Sequence, residues 1–199
     1  MRGRGTVVEY GTGDEAVMKH WMLCAVLVAG MVGCGGDKAE KQAPPGTEKT
    51  SVWRATPEKV VEGIMHAYEA RDDSLYASLL ADDYRYFFEP PDAKPEDVLG
   101  WGKEEDLVST GNLFRTEDVK DLSFKLEAGP AESVSRPAAR KGDPAPGEAW
   151  AKIPVAGGQL KVTVSLKEPM VVDLNRQEIL LRKDPGGWRI VEWHDFPAP

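Results

Sequence analysis

The chain has 199 residues, with 25 Lys and Arg, 33 Asp and Glu, 41% hydrophobic residues and 2 Cys. That length fits one domain with appendages, and the composition excludes a mostly disordered chain. A net charge of −8 excludes a general nucleic-acid binder, which needs Lys and Arg to displace phosphate counterions, and two Cys cannot build a disulfide framework.

Residues 1–17 carry Glu9, Asp14 and Glu15, which a secretory leader avoids. They read as an extension upstream of a start at Met18. Residues 18–33 then have a leader's layout: Lys19 and His20, an uncharged stretch from Trp21 to Gly33, and small residues at its end. A membrane-spanning helix needs about 20 apolar residues, so this shorter stretch reads as a signal peptide. It ends in Met31-Val32-Gly33-Cys34, which resembles the bacterial lipobox. The resemblance implies that Cys34 is diacylated on sulfur and becomes the mature N-terminus. The expected partner of this end is therefore a lipid bilayer, and the expected location is the bacterial cell envelope. Gly35 stands where an inner-membrane retention signal would place Asp, which points to the outer membrane. Cys24 leaves with the leader and Cys34 is blocked by lipid, so thiol catalysis, disulfides and Cys-based metal sites are not expected.

From the lipidated Cys to residue 52 the chain is rich in Gly, Pro, Lys and Glu and offers almost nothing to bury. Residues 34–52 read as a lipidated, disordered tether, and residues 53–199 as the domain. Thr56 is a candidate N-cap, Pro57 suits the first helical position, and Glu58 complements the positive first turn. Val60, Val61, Ile64, Met65 and Tyr68 form one apolar helix face. Asp72 can cap a second helix carrying Leu75, Tyr76, Leu79 and Leu80. The run Tyr84-Arg85-Tyr86-Phe87-Phe88-Glu89 has strand propensity and is stopped by Pro90-Pro91. A third helix is predicted over Lys103–Phe114, with Leu107, Gly111 and Phe114 on one side.

Beyond it the period changes from 3.6 to 2. Leu122, Phe124 and Leu126 alternate with polar residues, as do Leu160, Val162, Val164 and Leu166. Ala149–Val155, Met170–Leu174, Gln177–Lys183 and Trp188–His194 read as further strands. Gly157-Gly158 and Asp184-Pro185-Gly186-Gly187 read as turns between antiparallel neighbours. Residues 129–147 read as a long mobile hairpin loop. Helices first and a run of antiparallel strands afterwards give an α+β fold.

Five segments carry a family resemblance: Thr56-Pro57-Glu58; Ala67-Tyr68-Glu69-Ala70-Arg71-Asp72; Leu79-Leu80-Ala81-Asp82-Asp83-Tyr84; Trp101-Gly102-Lys103-Glu104-Glu105; and Trp188-Arg189-Ile190-Val191-Glu192-Trp193. Across about residues 53–196 the chain resembles the nuclear transport factor 2-like superfamily, which includes ketosteroid isomerases, scytalone dehydratase and polyketide cyclases. The resemblance implies a cone: a strongly bent, mostly antiparallel sheet packed on three helices from the N-terminal half, around a pocket. It does not carry an activity, because that fold hosts many. Aligned on Ala81-Asp82-Asp83, the isomerase's catalytic Tyr falls at Ile64 and its general base at Phe88. Neither side chain can do that work, and alternation turns Glu89 to the other strand face.

The remaining candidates are few. Tyr84, Tyr86 and Phe88 share a strand face, and Tyr68 faces the same interior from the first helix. Together they read as core or as the wall of a ligand pocket. His194 is expected to share a face with Glu192 and Ile190; the two read as a surface pair at the open end of the last strand or, near the pocket mouth, as the only candidate acid–base pair. His66 reads as a solvated partner of Glu62 and Glu69. Asp72, Asp73, Asp82 and Asp83 read as helix caps, and no metal site or cofactor is expected. The first functional reading is an anchored, non-catalytic domain that binds an apolar small molecule or an envelope protein. The second is a small pocket enzyme, an isomerase, dehydratase or cyclase using His194 and Glu192. The third is a module that forms homodimers through its sheet.

Overall fold

The computed structural model describes residues 47–88, 99–138, 140, 145–165 and 168–196. The expected leader, Cys34 and the first part of the tether lie outside these residues, as does Leu166. All the described residues belong to one compact unit, Lys41–Pro199. None of their helices is long and apolar enough to cross a membrane.

Three helices open the unit: α1 (Thr47–Trp53), α2 (Pro57–Ala70) and α3 (Asp73–Leu79). The Thr56 hydroxyl accepts from the Lys59 N–H at 3.3 Å and Asp72 accepts from the Leu75 N–H at 2.9 Å, so both expected caps form. The apolar stripe does what its spacing requires: Val60, Val61, Ile64 and Ala67 are buried. The expected tether runs too far, because Thr47–Trp53 is helical. The cause is Trp53. Its indole stacks on His66 with ring centroids 5.1 Å apart, and it packs against Gly63. A Cβ on Gly63 would sit 3.1 Å from the Trp53 Cβ and 3.0 Å from Leu79, so α1, α2 and α3 approach more closely than a side chain here would allow without a shift of its neighbours. His66 is thus a stacking partner, while Glu62 pairs with Lys59.

Eight strands follow, interrupted by one helix: β1 (Leu80–Phe88), β2 (Leu99–Gly102), α4 (Lys103–Arg115), β3 (Val119–Ala128), β4 (Glu132–Val134), β5 (Trp150–Val164), β6 (Met170–Leu174), β7 (Gln177–Asp184) and β8 (Gly187–Asp195). They form one sheet in the order β2-β1-β8-β7-β5-β3, with β4 and β6 paired to β5. Among the described residues only β1 and β8 pair in parallel, so the sheet is mixed but mostly antiparallel, curled and unclosed. With the helices on one face, the fold is α+β.

Two expectations fail on this sheet. Gly157-Gly158 is not a turn but the bend of the single long strand β5. A Cβ at Gly158 would lie 2.3 Å from the Lys125 carbonyl oxygen, and the β3 register slips between Leu126 and Ala128. Glycine here allows close strand passage and a bend, which in sequence looks the same as a turn. The second failure is the loop 129–147. It contains β4, whose Val134 pairs with Trp150, and Arg140 ties it to the sheet.

The main core lies between the helices and the inner sheet face, and holds Ile64, Leu79, Ile153, Ile179, Leu181 and Ile190 without exposure. A small second cluster, Ala81, Trp150 and Val191 with Val134 and Leu180, lies apart from it. β4 and Arg140 cover that cluster on the outer face.

Candidate functional site

Strand register settles where the expected pair lies. In β8, Glu192 is opposite Leu180 of β7, but Ile190 is opposite Leu181. That slip is a bulge at Val191. It breaks the period of 2, so Ile190 and Glu192 do not share a face. Ile190 and Trp193 point into the main core. Glu192 and His194 point outward, where the His194 ring stacks on Phe87 at 4.7 Å. The expectation that His194 and Glu192 sit near the pocket mouth is therefore corrected: the sheet separates them from Tyr84 and Tyr86.

On that outer face the pair belongs to an ionic lattice. His194 Nε2 lies 3.1 Å from Glu192 Oε2, and Arg140 Nε donates to Glu192 Oε1 at 2.9 Å. Arg140 also donates to Asp83 Oδ2 at 3.1 Å and to the Val191 carbonyl at 3.0 Å. Asp83 in turn accepts from Arg182 at 2.9 Å, and Arg182 donates to Asp184 at 2.8 Å. Burial works to raise the Glu192 pKa, but His194 and Arg140 beside it hold the carboxyl below its ordinary value. A carboxylate so engaged orients the strap residue Arg140 and has little basicity left for proton abstraction.

The inner face holds a different group. Tyr84, Tyr86 and Phe88 do share it, as expected, with Tyr68 opposite. Their rings pack on one another and on their neighbours: Tyr68 stacks on Phe124 at 4.5 Å, and Tyr86 meets Phe88 at 4.9 Å and Trp101 at 5.8 Å. Much of the expected pocket wall is thus aromatic core. Beside this cluster lies a buried carboxylate that sequence reasoning missed. Asp106, in the first turn of α4, is 5% exposed, and Tyr76 donates its hydroxyl to Asp106 Oδ2 at 2.7 Å.

Burial raises the Asp106 pKa from its ordinary 3.8 to about 6, against the lowering effect of Tyr76 and Trp101. The Trp101 indole N–H lies near enough to act on that charge but outside hydrogen-bonding geometry. Burial and the Asp106 charge push the Tyr84 hydroxyl well above its ordinary range. Tyr84 Oη and Trp101 Nε1 are buried and have no hydrogen-bond partner among the described residues. At the end of β8, Tyr86 is hydrogen-bonded to Asp195, whose pKa burial raises against its bonds from Gln177 and Tyr86. Gln177 Oε1 accepts from the Trp193 indole at 3.1 Å. The Asp195 end is closed; the Asp106 end has two spare donors.

Asp106 could have been found. Asp106, Thr110 and Phe114 recur at i, i+4 and i+8 and form the buried ridge of α4. The expected side does face inward, with Gly111 and Phe114 buried and Leu107 packed against the core; Asp106 and Thr110 flank it. Asp106 closes the acidic run Glu104-Glu105-Asp106, which reads as a solvated helix start and conceals a buried carboxylate.

An open groove of about 810 Å³ lies beside this region, on the outside of β1 and α4. Asp82, Lys103, Glu104, Leu107, Val108 and Arg115 are among its lining residues. Lys103 spans it, donating to the Leu80 carbonyl at 2.9 Å and to Asp82 at 3.0 Å. Among the described residues no three His, Cys, Asp or Glu side chains converge as a metal site would need.

No family model matches the chain, and no curated protein matches it. Solved structures do. A conserved protein from Planctomyces limnophilus is 21% identical over 71% of this chain and 93% of its own, with a TM-score of 0.45. A nuclear transport factor 2-like superfamily protein from Salmonella enterica is 15% identical over 77% of this chain and 95% of its own, with a TM-score of 0.43. A nuclear transport factor 2-like protein with a cystatin-like fold, from Novosphingobium aromaticivorans, is 16% identical over 75% of this chain and 81% of its own, with a TM-score of 0.40.

Proposed function

We propose that this chain is a lipoprotein of the bacterial envelope, anchored through Cys34, whose domain binds a small polar ligand on an aromatic wall without turning it over. The observation that carries the reading is the pair of buried donors, Tyr84 Oη and Trp101 Nε1, beside the Asp106 carboxylate. A buried donor left unpaired costs about 1–3 kcal/mol, and a ligand oxygen that accepts from both recovers that cost. Asp106 supplies the complementary acceptor. The ligand is therefore a compact neutral molecule with a hydroxyl or carbonyl oxygen on a flat or apolar body. The rings of Tyr68, Tyr84, Tyr86 and Phe88 would form the wall of that site, with its polar anchors on β1, β2 and α4.

The position of His194 and Glu192 supports the non-catalytic half of this reading, since a general base must reach the proton it removes. A second reading rests on Asp106. A carboxyl whose pKa is raised to about 6 and that faces a ligand could accept a proton at neutral pH. That would make the domain a pocket enzyme with Asp106, not His194, as its base.

One experiment separates the two. A panel of small phenols, alcohols and amides is titrated into the protein and followed by calorimetry, with product formation read in parallel. Binding that Tyr84→Phe weakens about tenfold, one hydrogen bond to a buried group, with no product, supports the first reading. Product formation abolished by Asp106→Asn establishes the second. Binding indifferent to Tyr84→Phe removes the site.

A further inference from the structure

We propose that the turn joining β7 to β8 carries a phosphate-binding site, formed by the guanidinium groups of Arg54 and Arg189. The argument is independent of the aromatic ligand site. Arg54, in the link between α1 and α2, lies along the start of β8. Its Nε donates to the Trp188 carbonyl at 3.3 Å and its Nη2 to the Gly187 carbonyl at 3.5 Å. Its own carbonyl accepts from the Trp188 N–H at 2.8 Å. These residues precede the first β1–β8 pair, Leu80 with Ile190, so Arg54 caps a part of β8 that β1 does not reach. Gly186 makes room for the side chain: a Cβ there would sit 3.0 Å from Nη2 and 3.1 Å from Nη1. The two bonds leave Nη1 for another acceptor.

Arg189 adds a second guanidinium whose needs the fold meets only in part. Its Nε is buried and has no hydrogen-bond partner among the described residues, because its ion-pair partner, Asp184 Oδ2, stands 3.8 Å away. Asp184 is already engaged, since its Oδ1 accepts from Arg182 Nε at 2.8 Å. Arg182 sits directly opposite Arg189 in the β7–β8 ladder, and like charges directly opposite destabilise a sheet unless they are compensated. Asp83 and Asp184 compensate Arg182. Asp82, whose carboxyl also feels the Arg189 charge, is bonded to Lys103 at 3.0 Å. Burial lowers the Arg54 pKa, the nearby Arg189 charge lowers it further, and Asp184 opposes both more weakly. The turn thus gathers excess positive charge on a chain whose net charge is −8.

A buried donor without a partner is costly. An anion held between the two side chains would accept from Arg189 Nε and Arg54 Nη1 and would cancel their repulsion. Guanidinium groups arriving from two different elements suit the oxygens of a phosphate, which guanidinium recognises through short, charge-assisted bonds. Free phosphate and a phospholipid headgroup share that chemistry. α1 begins 13 residues after Cys34, a span of at most about 45 Å, so an anchor at Cys34 would keep this turn within reach of headgroups. That anchor belongs to the function proposed above; the phosphate site stands without it.

The test titrates inorganic phosphate, at constant ionic strength, into the full chain in neutral detergent micelles. Arginine Nε–H resonances are followed by proton–nitrogen correlation spectroscopy, with Arg54 and Arg189 assigned by their loss in Arg54→Lys and Arg189→Lys. Both signals should shift to saturation. Arg189→Gln should weaken binding at least about tenfold, the loss of one hydrogen bond to a charged group, whereas Lys125→Gln, on the exposed side of β3, should leave it unchanged. Asp184→Asn keeps both guanidinium groups and removes the carboxylate charge that competes with the anion, so it should tighten binding by about threefold or more. Phosphatidylglycerol added to the micelles separates the sources: competition with phosphate assigns the headgroup, and phosphate shifts that persist assign the free ion, each with the site intact. Shifts that chloride reproduces, or that never saturate, would overturn the site. Weaker binding by Asp184→Asn would overturn it as well, even if Arg189→Gln fails to fold.

Discussion

Replacing Asp106 by Asn should make the protein more stable at neutral pH and should leave it nearly unchanged in acid. Burial raises the carboxyl's pKa from 3.8 to about 6 in the folded state. A carboxyl that binds its proton more tightly when folded favours the folded state at low pH and opposes it at high pH. The favourable term is complete below about pH 4, falls as the pH rises from there to about 6, and is gone above that. The gap corresponds to on the order of 3 kcal/mol, at 1.36 kcal/mol per pH unit. Asn keeps an oxygen for the Tyr76 hydroxyl and carries no charge at any pH. Urea unfolding at pH 4 and pH 7 would measure the effect: a gain of about 3 kcal/mol at pH 7, or about 6–12 °C in melting temperature for a domain of this size, and little at pH 4. An equal change at both pH values would show that the carboxyl is not held ionised in a costly setting. A loss at pH 7 would show that charge-assisted bonds outweigh burial, and would refute the reasoning.

Three further outcomes are expected. Gly63→Ala should cost about 1–3 kcal/mol by overpacking, because its Cβ would crowd Trp53 and Leu79; the gain of about 1 kcal/mol in helix propensity offsets part of it, so a denaturation curve should show a net loss of up to about 2 kcal/mol. Arg140→Ala should free the segment 135–149 and expose it to limited proteolysis, at a cost of about 2 kcal/mol for leaving Glu192 and the Val191 carbonyl without their donor; protease resistance equal to the parent's would mean that β4 alone holds the segment. Cys34→Ser should release the protein from the membrane fraction or leave an unprocessed precursor, and unchanged lipid labelling of that variant would rule out the anchor.

The helices and strands were legible because their causes are local. Thr56 and Asp72 cap within three residues of themselves, and the apolar stripe of α2 is set by helical period alone. What escaped depended on contacts between distant residues. Gly157-Gly158 was ambiguous because a glycine pair serves a turn and a bent strand equally well, and only the passage of Lys125 decides between them. Alternation along β8 gave Glu192 and His194 a common face, correctly, but the bulge at Val191 decided which face, and a bulge has no signature when the inserted residue is an ordinary Val. Arg140 lay in what looked like loop, since its partners Asp83 and Glu192 are more than fifty residues away in sequence. Asp106 was concealed by its acidic neighbours, although its spacing to Thr110 and Phe114 would have placed it on the buried ridge.

The binding site itself can be read most directly at the Trp101 indole N–H, by proton–nitrogen correlation spectroscopy during titration with a small phenol or alcohol. This N–H is buried beside Asp106 and has no partner in hydrogen-bonding geometry among the described residues, whereas Trp193 donates to Gln177 and Trp150 to Glu148. A ligand oxygen held between Tyr84 and Trp101 should shift the Trp101 resonance downfield in step with saturation, and Tyr84→Phe should weaken that response. The Trp150 resonance, on the other side of the sheet, should stay still. A titration that moves Trp150 and leaves Trp101 in place would put the ligand on the outer face and contradict the interior site.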